Sequence, residues 1–95
     1  MINQVVTIKN NDSTWDSAED AFSNLQTITN NLPIFNFLDK AREEGNMTHT
    51  VEFTESNSLK FTRVWNDSAY DEYLTYTKGT SILEANGMTV TETIT

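Results

Sequence analysis

An α+β fold with one four-stranded antiparallel sheet and helices on one face is predicted for this 95-residue chain by three observations. Thr48 to Trp65 has the alternation of a β-hairpin, two amphipathic helical regions flank that hairpin, and the first and last segments alternate like strands.

The hairpin is the most specific of these signals. Val51 and Phe53 alternate with Thr50, Glu52 and Thr54, and Leu59 and Phe61 alternate with Lys60 and Thr62. With Glu55, Ser56 and Asn57 as the loop, Asn57 takes the left-handed position that asparagine tolerates. Phe53 then faces Leu59, Val51 faces Phe61, and Glu52 faces Lys60, so like meets like and opposite charges meet. A slip of one residue would set Lys60 against Phe53 and scramble both faces.

Before the hairpin, Ile2, Val6 and Ile8 share one parity, and Asn3, Val5, Thr7 and Lys9 the other, which predicts a first strand ended by Asn10, Asn11 and Asp12. Ser13 or Thr14 is the expected cap of a helix with Asp16, Glu19 and Asp20 in its first turns, where the helix dipole favours acids. Trp15, Ala18, Phe22, Leu25, Ile28 and Leu32 recur three or four apart and form its apolar stripe. Asn30, Asn31 and Pro33 break this region, and Ile34, Phe37, Leu38 and Ala41 continue it until Gly45, a left-handed cap. Glu43 and Glu44 stand at the unfavourable end of the dipole and are expected to point to solvent.

After the hairpin, Asn66, Asp67 and Ser68 offer capping groups for a helix with Ala69, Tyr70, Tyr73, Leu74 and Tyr76 on its stripe, stopped by Lys78 and Gly79. Ser81 to Asn86 adds one more turn, with Ile82 and Leu83 inward and Gly87 closing it. From Met88 to Thr95 the chain alternates again, with Met88, Val90 and Ile94 on one side and threonines on the other; Glu92 is the exception and is assigned to an open edge. The order strand, broken helix, strand, strand, helix, strand suits a single domain over 1–95 in the ferredoxin-like β-α-β-β-α-β arrangement.

The run Leu59 to Tyr76, LKFTRVWNDSAYDEYLTY, resembles the strand-to-helix segment of the antibiotic-biosynthesis-monooxygenase-like proteins of the dimeric α+β barrel superfamily. There a strand ends in an aromatic residue, a Ser caps the helix, and an aromatic-rich helix follows. The resemblance implies a ferredoxin-like subunit that pairs sheet to sheet, with a pocket between sheet and helices. Trp65 matches the tryptophan that matters in haem-degrading members, but the following helix has no histidine, so haem or monooxygenase chemistry is not carried over.

Composition narrows the function classes. Fourteen acidic residues against six basic ones give a net charge of -8, which repels nucleic-acid phosphates and anionic lipid. Without cysteine there is no disulfide or thiolate metal site. The segment MINQVVTIKNND lacks a basic stretch followed by a long apolar one, and nothing approaches a membrane span, so a cytoplasmic protein with no membrane contact is expected.

Individual residues allow a functional and an ordinary reading. His49, the only histidine, could act as a base, but no nucleophile motif frames it, and a partly exposed strand-end histidine is the ordinary case. Trp65 and Tyr73 could line an aromatic pocket, although aromatics at helical spacing usually form core. Arg63 has inward parity and could anchor an anionic ligand or pair with a carboxylate at the sheet's edge. The trios Asp16, Glu19, Asp20 and Asp67, Asp71, Glu72 read as solvated helix starts rather than metal sites. No catalytic residue, metal ligand or cofactor is assigned; the possible pocket is Trp65, Arg63, Tyr73 and His49.

The other sheet face carries Thr50, Thr54, Thr62, Thr89, Thr91, Thr93 and Thr95, with Val5 and Val64. It suits water, or a polar interface with a second copy. The first functional expectation is a non-enzymatic protein that forms a homodimer or binds a protein partner. The alternatives are a small-molecule-binding or oxygenase-like enzyme of the dimeric barrel type and, third, an acidic viral decoy of a nucleic-acid-binding protein.

Overall fold

A computed structural model describes residues 1–95 and shows the ferredoxin-like arrangement. The elements are β1 (Ile2–Asn10), α1 (Ala18–Ile28), α2 (Pro33–Glu43), β2 (Met47–Thr54), β3 (Ser58–Trp65), α3 (Asp67–Tyr73), α4 (Thr80–Ala85) and β4 (Met88–Ile94). The four strands form one antiparallel sheet in the order β2-β3-β1-β4. Central β1 and β3 carry the most regularly buried inner faces, while β2 and β4 form the edges.

The hairpin has the expected register, with Phe53 opposite Leu59, Val51 opposite Phe61 and Glu52 opposite Lys60. Asn57 is left-handed (φ 60°), and its side chain reaches across to the loop before α1. Its Nδ2 donates to the Trp15 carbonyl at 2.7 Å, and its Oδ1 accepts from the Trp15 N–H at 3.1 Å. The hairpin tip therefore holds the entry to the first helix.

That entry differs from the expectation. Neither Ser13 nor Thr14 caps the helix: Ser13 is itself left-handed (φ 52°), and the Thr14 hydroxyl accepts from Asn10 Nδ2 at 2.7 Å. Ser17 is the cap, accepting from the Asp20 N–H at 3.1 Å. Trp15 consequently lies outside the helix, yet it is buried in the same apolar cluster as Leu25 and Leu59.

The break expected near Pro33 is a complete stop between two helices, the second starting at Pro33. Asn30 and Asn31 are both left-handed, and their N–H groups return to the carbonyls of Thr27 and Gln26. That is the Schellman pattern with asparagine in glycine's place, and it leaves Leu32 outside both helices, just ahead of Pro33. The end of α2 repeats it with Gly45 (φ 76°), Gly45 N–H returning to Arg42 and Asn46 N–H to Ala41. At the next helix Asn66 is the cap, accepting from the Ala69 N–H at 2.8 Å. That helix stops at Tyr73, five residues earlier than Lys78, and the Lys78 ammonium folds back to donate to the carbonyls of Tyr73 (3.3 Å) and Tyr76 (3.1 Å).

Two apolar clusters fill the space between sheet and helices. One joins Val6, Ile8, Leu59, Phe61 and Met88 of the sheet to Trp15, Ala21, Leu25 and Leu83; the other joins Met47 and Trp65 to Ile34, Phe37, Ala41, Ala69 and Tyr73. The threonine face is open, with Thr50, Thr62, Thr89, Thr91, Thr93 and Thr95 exposed and Val5 and Val64 half-buried. No helix is long and apolar enough to cross a membrane.

Candidate functional site

The two clusters are divided by a polar rung on the inner face of the sheet. Register sets His49 opposite Arg63 and Arg63 opposite Gln4, with Glu92 one rung along, opposite Val6. Because side chains alternate along a strand, each of these residues shares the inward face with apolar neighbours two positions away. The polar groups are thus carried into the layer that should be driest.

Gln4 is the hub of this rung and has no exposed surface. Its Oε1 accepts from Trp65 Nε1 at 2.9 Å and from Arg63 Nη1 at 3.3 Å, and its Nε2 donates to the Tyr73 hydroxyl at 3.2 Å and to Glu92 Oε2 at 3.1 Å. Two donors converge on one side of the amide and a carboxylate faces the other, so only this orientation satisfies it.

Arg63 is the unusual member. Only 7% of it is exposed, and the chain's two ion pairs, Asp39 with Arg42 and Asp67 with the N-terminus, lie elsewhere. Its Nη1 bonds to a neutral amide oxygen, its Nε is buried without any partner, and its guanidinium carbon lies 5.0 Å from the centroid of the Phe61 ring. Burial lowers its pKa, with the neighbouring Tyr73 and Glu92 acting in the opposite direction. A guanidinium keeps its charge in such a setting, so a nearly bare cation sits inside the fold.

The surrounding groups are adjusted by the same setting. Burial raises the Tyr73 hydroxyl, with its hydrogen bond to Gln4 and the charge of Arg63 opposing, so the phenol keeps its proton at neutral pH. Burial lowers His49, assisted by the charges of Arg42 and Arg63 and opposed by Asp39. Arg42 Nη1 lies 3.2 Å from His49 Nε2. Arginine can only donate, so this contact makes Nε2 an acceptor and puts the proton of the neutral ring on Nδ1.

A cavity of about 160 Å³ opens over this rung, between the sheet and the two long helices. Val6, Ile8, Phe61 and Val90 of the sheet, Phe22 and Leu25 of α1, Ile34 and Leu38 of α2, and Leu83 of α4 make its walls largely apolar. Arg63, His49, Tyr73, Lys78, Arg42, Asp39 and Glu92 supply the charged and polar edge. A second depression, about 290 Å³, lies between α2 and α3. It is larger, but exposed Asn36, Lys40, Glu44 and Glu72 help to line it, and it contains no buried polar group without a partner.

Of the four residues singled out from sequence, Arg63, Tyr73 and His49 line one cavity. Trp65 does not: it is fully buried behind them, 5.0 Å centroid to centroid from Tyr73, and it touches the rung only through its bond to Gln4. Sequence reasoning missed Gln4 altogether and read Glu92 as an edge effect. The signal was present, since Gln4, Arg63 and Glu92 each interrupt an otherwise apolar inward parity. No group of three or more histidine, aspartate or glutamate side chains is placed to hold a metal ion.

Fold and site together define a ferredoxin-like α+β domain with a small, mostly apolar cavity that has a buried cation at its edge. No family model, curated protein or solved structure matches the chain.

Proposed function

We propose that this protein binds a small molecule in the cavity between its sheet and its helices. The observation that carries the reading is Arg63, buried at the cavity wall with no carboxylate partner and one N–H unsatisfied. An uncompensated buried cation is destabilising, and an apolar residue of similar volume would serve the fold better. A ligand that meets this group supplies the missing reason for keeping it. The volume is close to that of cavities that take a single benzene ring, about 150 Å³, so the ligand is small.

The resemblance to dimeric α+β barrel proteins supports the same location, because it implies a pocket between sheet and helices. Self-association through the threonine face has less support: Val5 and Val64 are half-buried there among six exposed threonines, a small apolar centre for a stable interface. The acidic decoy reading rests on net charge alone.

The test is an amide-resolved NMR titration of the intact chain with apolar probes of about six to eight heavy atoms, beginning with benzene and benzyl alcohol. Shifts are expected for Phe22, Leu25, Phe61, Arg63 and Val90. Shifts confined to the outer strand faces, or none at millimolar probe, would overturn the proposal.

A further inference from the structure

Resting on that reading, we infer that the ligand is a small monocarboxylate with an apolar body, its carboxylate held by Arg63 and its body lying among Phe22, Leu25, Phe61 and Val90. The charge distribution points this way first. Arg42, Arg63 and Lys78, three of the chain's six basic residues, line the cavity, against Asp39 and Glu92 of its fourteen acidic ones. A chain of net charge -8 thus has a locally positive pocket, which favours an anion inside it.

Among those three cations, only Arg63 has a buried N–H without a partner. Arg42 is paired with Asp39 at 3.2 Å, and Lys78 is bound to the carbonyls of Tyr73 and Tyr76. Arg63 uses Nη1 on Gln4 and lies within reach of the Tyr73 hydroxyl, and on the edge formed by Nε and Nη2 the buried Nε has no acceptor in the chain. That edge presents two parallel N–H groups, the fork a carboxylate engages with both oxygens. Tyr73 adds a further donor, because its oxygen already accepts from Gln4 and its own proton is uncommitted.

The same inventory excludes other head groups. An ammonium would enter a pocket in which Arg42, Arg63 and Lys78 outnumber Asp39 and Glu92, with Asp39 already paired with Arg42. A phosphate dianion needs more donors than one free guanidinium edge and one hydroxyl, and the Glu92 carboxylate at the cavity edge opposes a second negative charge. A single charge with planar geometry fits, and the apolar walls require the rest of the ligand to be hydrocarbon.

The experiment is calorimetric titration of the full chain at neutral pH and low salt with hexanoate, hexanamide, hexylamine and inorganic phosphate. Hexanoate is expected to bind at least about tenfold more tightly than hexanamide, in proportion to a charge-assisted bond formed in a sheltered site, with no measurable binding of hexylamine or phosphate. Arg63→Met should abolish the preference for hexanoate over hexanamide. In the unaltered chain the Arg63 Nε–H resonance should move downfield on hexanoate addition, a readout that stands whether or not the variant folds. Equal binding of hexanoate and hexanamide, or binding of phosphate, overturns the carboxylate assignment and leaves the cavity reading in place. Failure of hexanoate and hexanamide, together with silence of the apolar probes, removes both.

Discussion

Replacing Gln4 by methionine keeps the length and much of the shape of the side chain and removes all four of its hydrogen bonds. Two of those bonds satisfy donors sealed from water, Trp65 Nε1–H and Arg63 Nη1–H, and each loses its only acceptor. A buried donor left unpaired costs about 1 to 3 kcal/mol, so the pair costs about 4 at mid-range. Glu92 is exposed and turns to water at little cost, and the more apolar thioether returns of order 1 kcal/mol. The net expectation is a loss of about 3 kcal/mol, a large share of the roughly 5 to 15 kcal/mol typical of such domains. At about 4 to 8 °C per kcal/mol for this size, the melting temperature should fall by about 12 to 24 °C. Urea unfolding followed by tryptophan fluorescence gives the free energy directly, with an unchanged slope expected if both states keep their compactness. A variant within about 1 kcal/mol of the parent would refute the reasoning, because it would mean that Trp65 and Arg63 find other acceptors without strain.

Three further outcomes are expected. Trp65→Ala empties a fully buried site packed against Phe37, Tyr70 and Tyr73 and should cost about 3 to 5 kcal/mol by chemical denaturation; near-normal melting would show that the indole is not core. Asn57→Ala loses both bonds to Trp15 and puts a Cβ residue at positive φ, for about 2 to 3 kcal/mol, and Asn57→Gly should recover only the backbone part, so a glycine variant that melts like the parent would remove the clamp as an explanation. His49 has its folded pKa below the unfolded value near 6.5, so below that pH the unfolded chain binds more protons and stability is lost as pH falls toward the folded pKa. Denaturation midpoints between about pH 5 and 7 should show this slope in the parent and a weaker one in His49→Gln; identical slopes would mean that carboxylates alone set it.

The ordering of elements and the hairpin register were legible in the sequence because both follow from period-two alternation. A strand with one greasy face has only one way to pair without exposing it, and Phe53, Val51, Leu59 and Phe61 specify that way. The break near Pro33 and the cap at Gly45 were legible for a similarly local reason, since φ preference and capping act within a few residues, and of Asn66, Asp67 and Ser68 the structure uses Asn66. The start of the first helix was not. Ser17 carries the same hydroxyl as Ser13 and Thr14, the two caps expected, and the choice is made by Asn57, about forty residues away, which grips Trp15 and holds it out of the helix.

The site divides along the same line. Sequence alone determined that Arg63 has inward parity and that His49 starts the strand beside it, because alternation suffices for that; the pairing of the two on one rung follows from the hairpin register. It could not determine that Gln4 would receive Arg63, that Lys78 and Arg42 would be occupied elsewhere, or that the helices would leave open space above the rung. Those depend on the pairing of β1 with β3 and on the separation of two helices by a stop, contacts between parts of the chain far apart in sequence. A hydrogen-bond partner and a void are properties of packing, and only the folded chain decides which polar groups are satisfied and which remain free to meet a ligand.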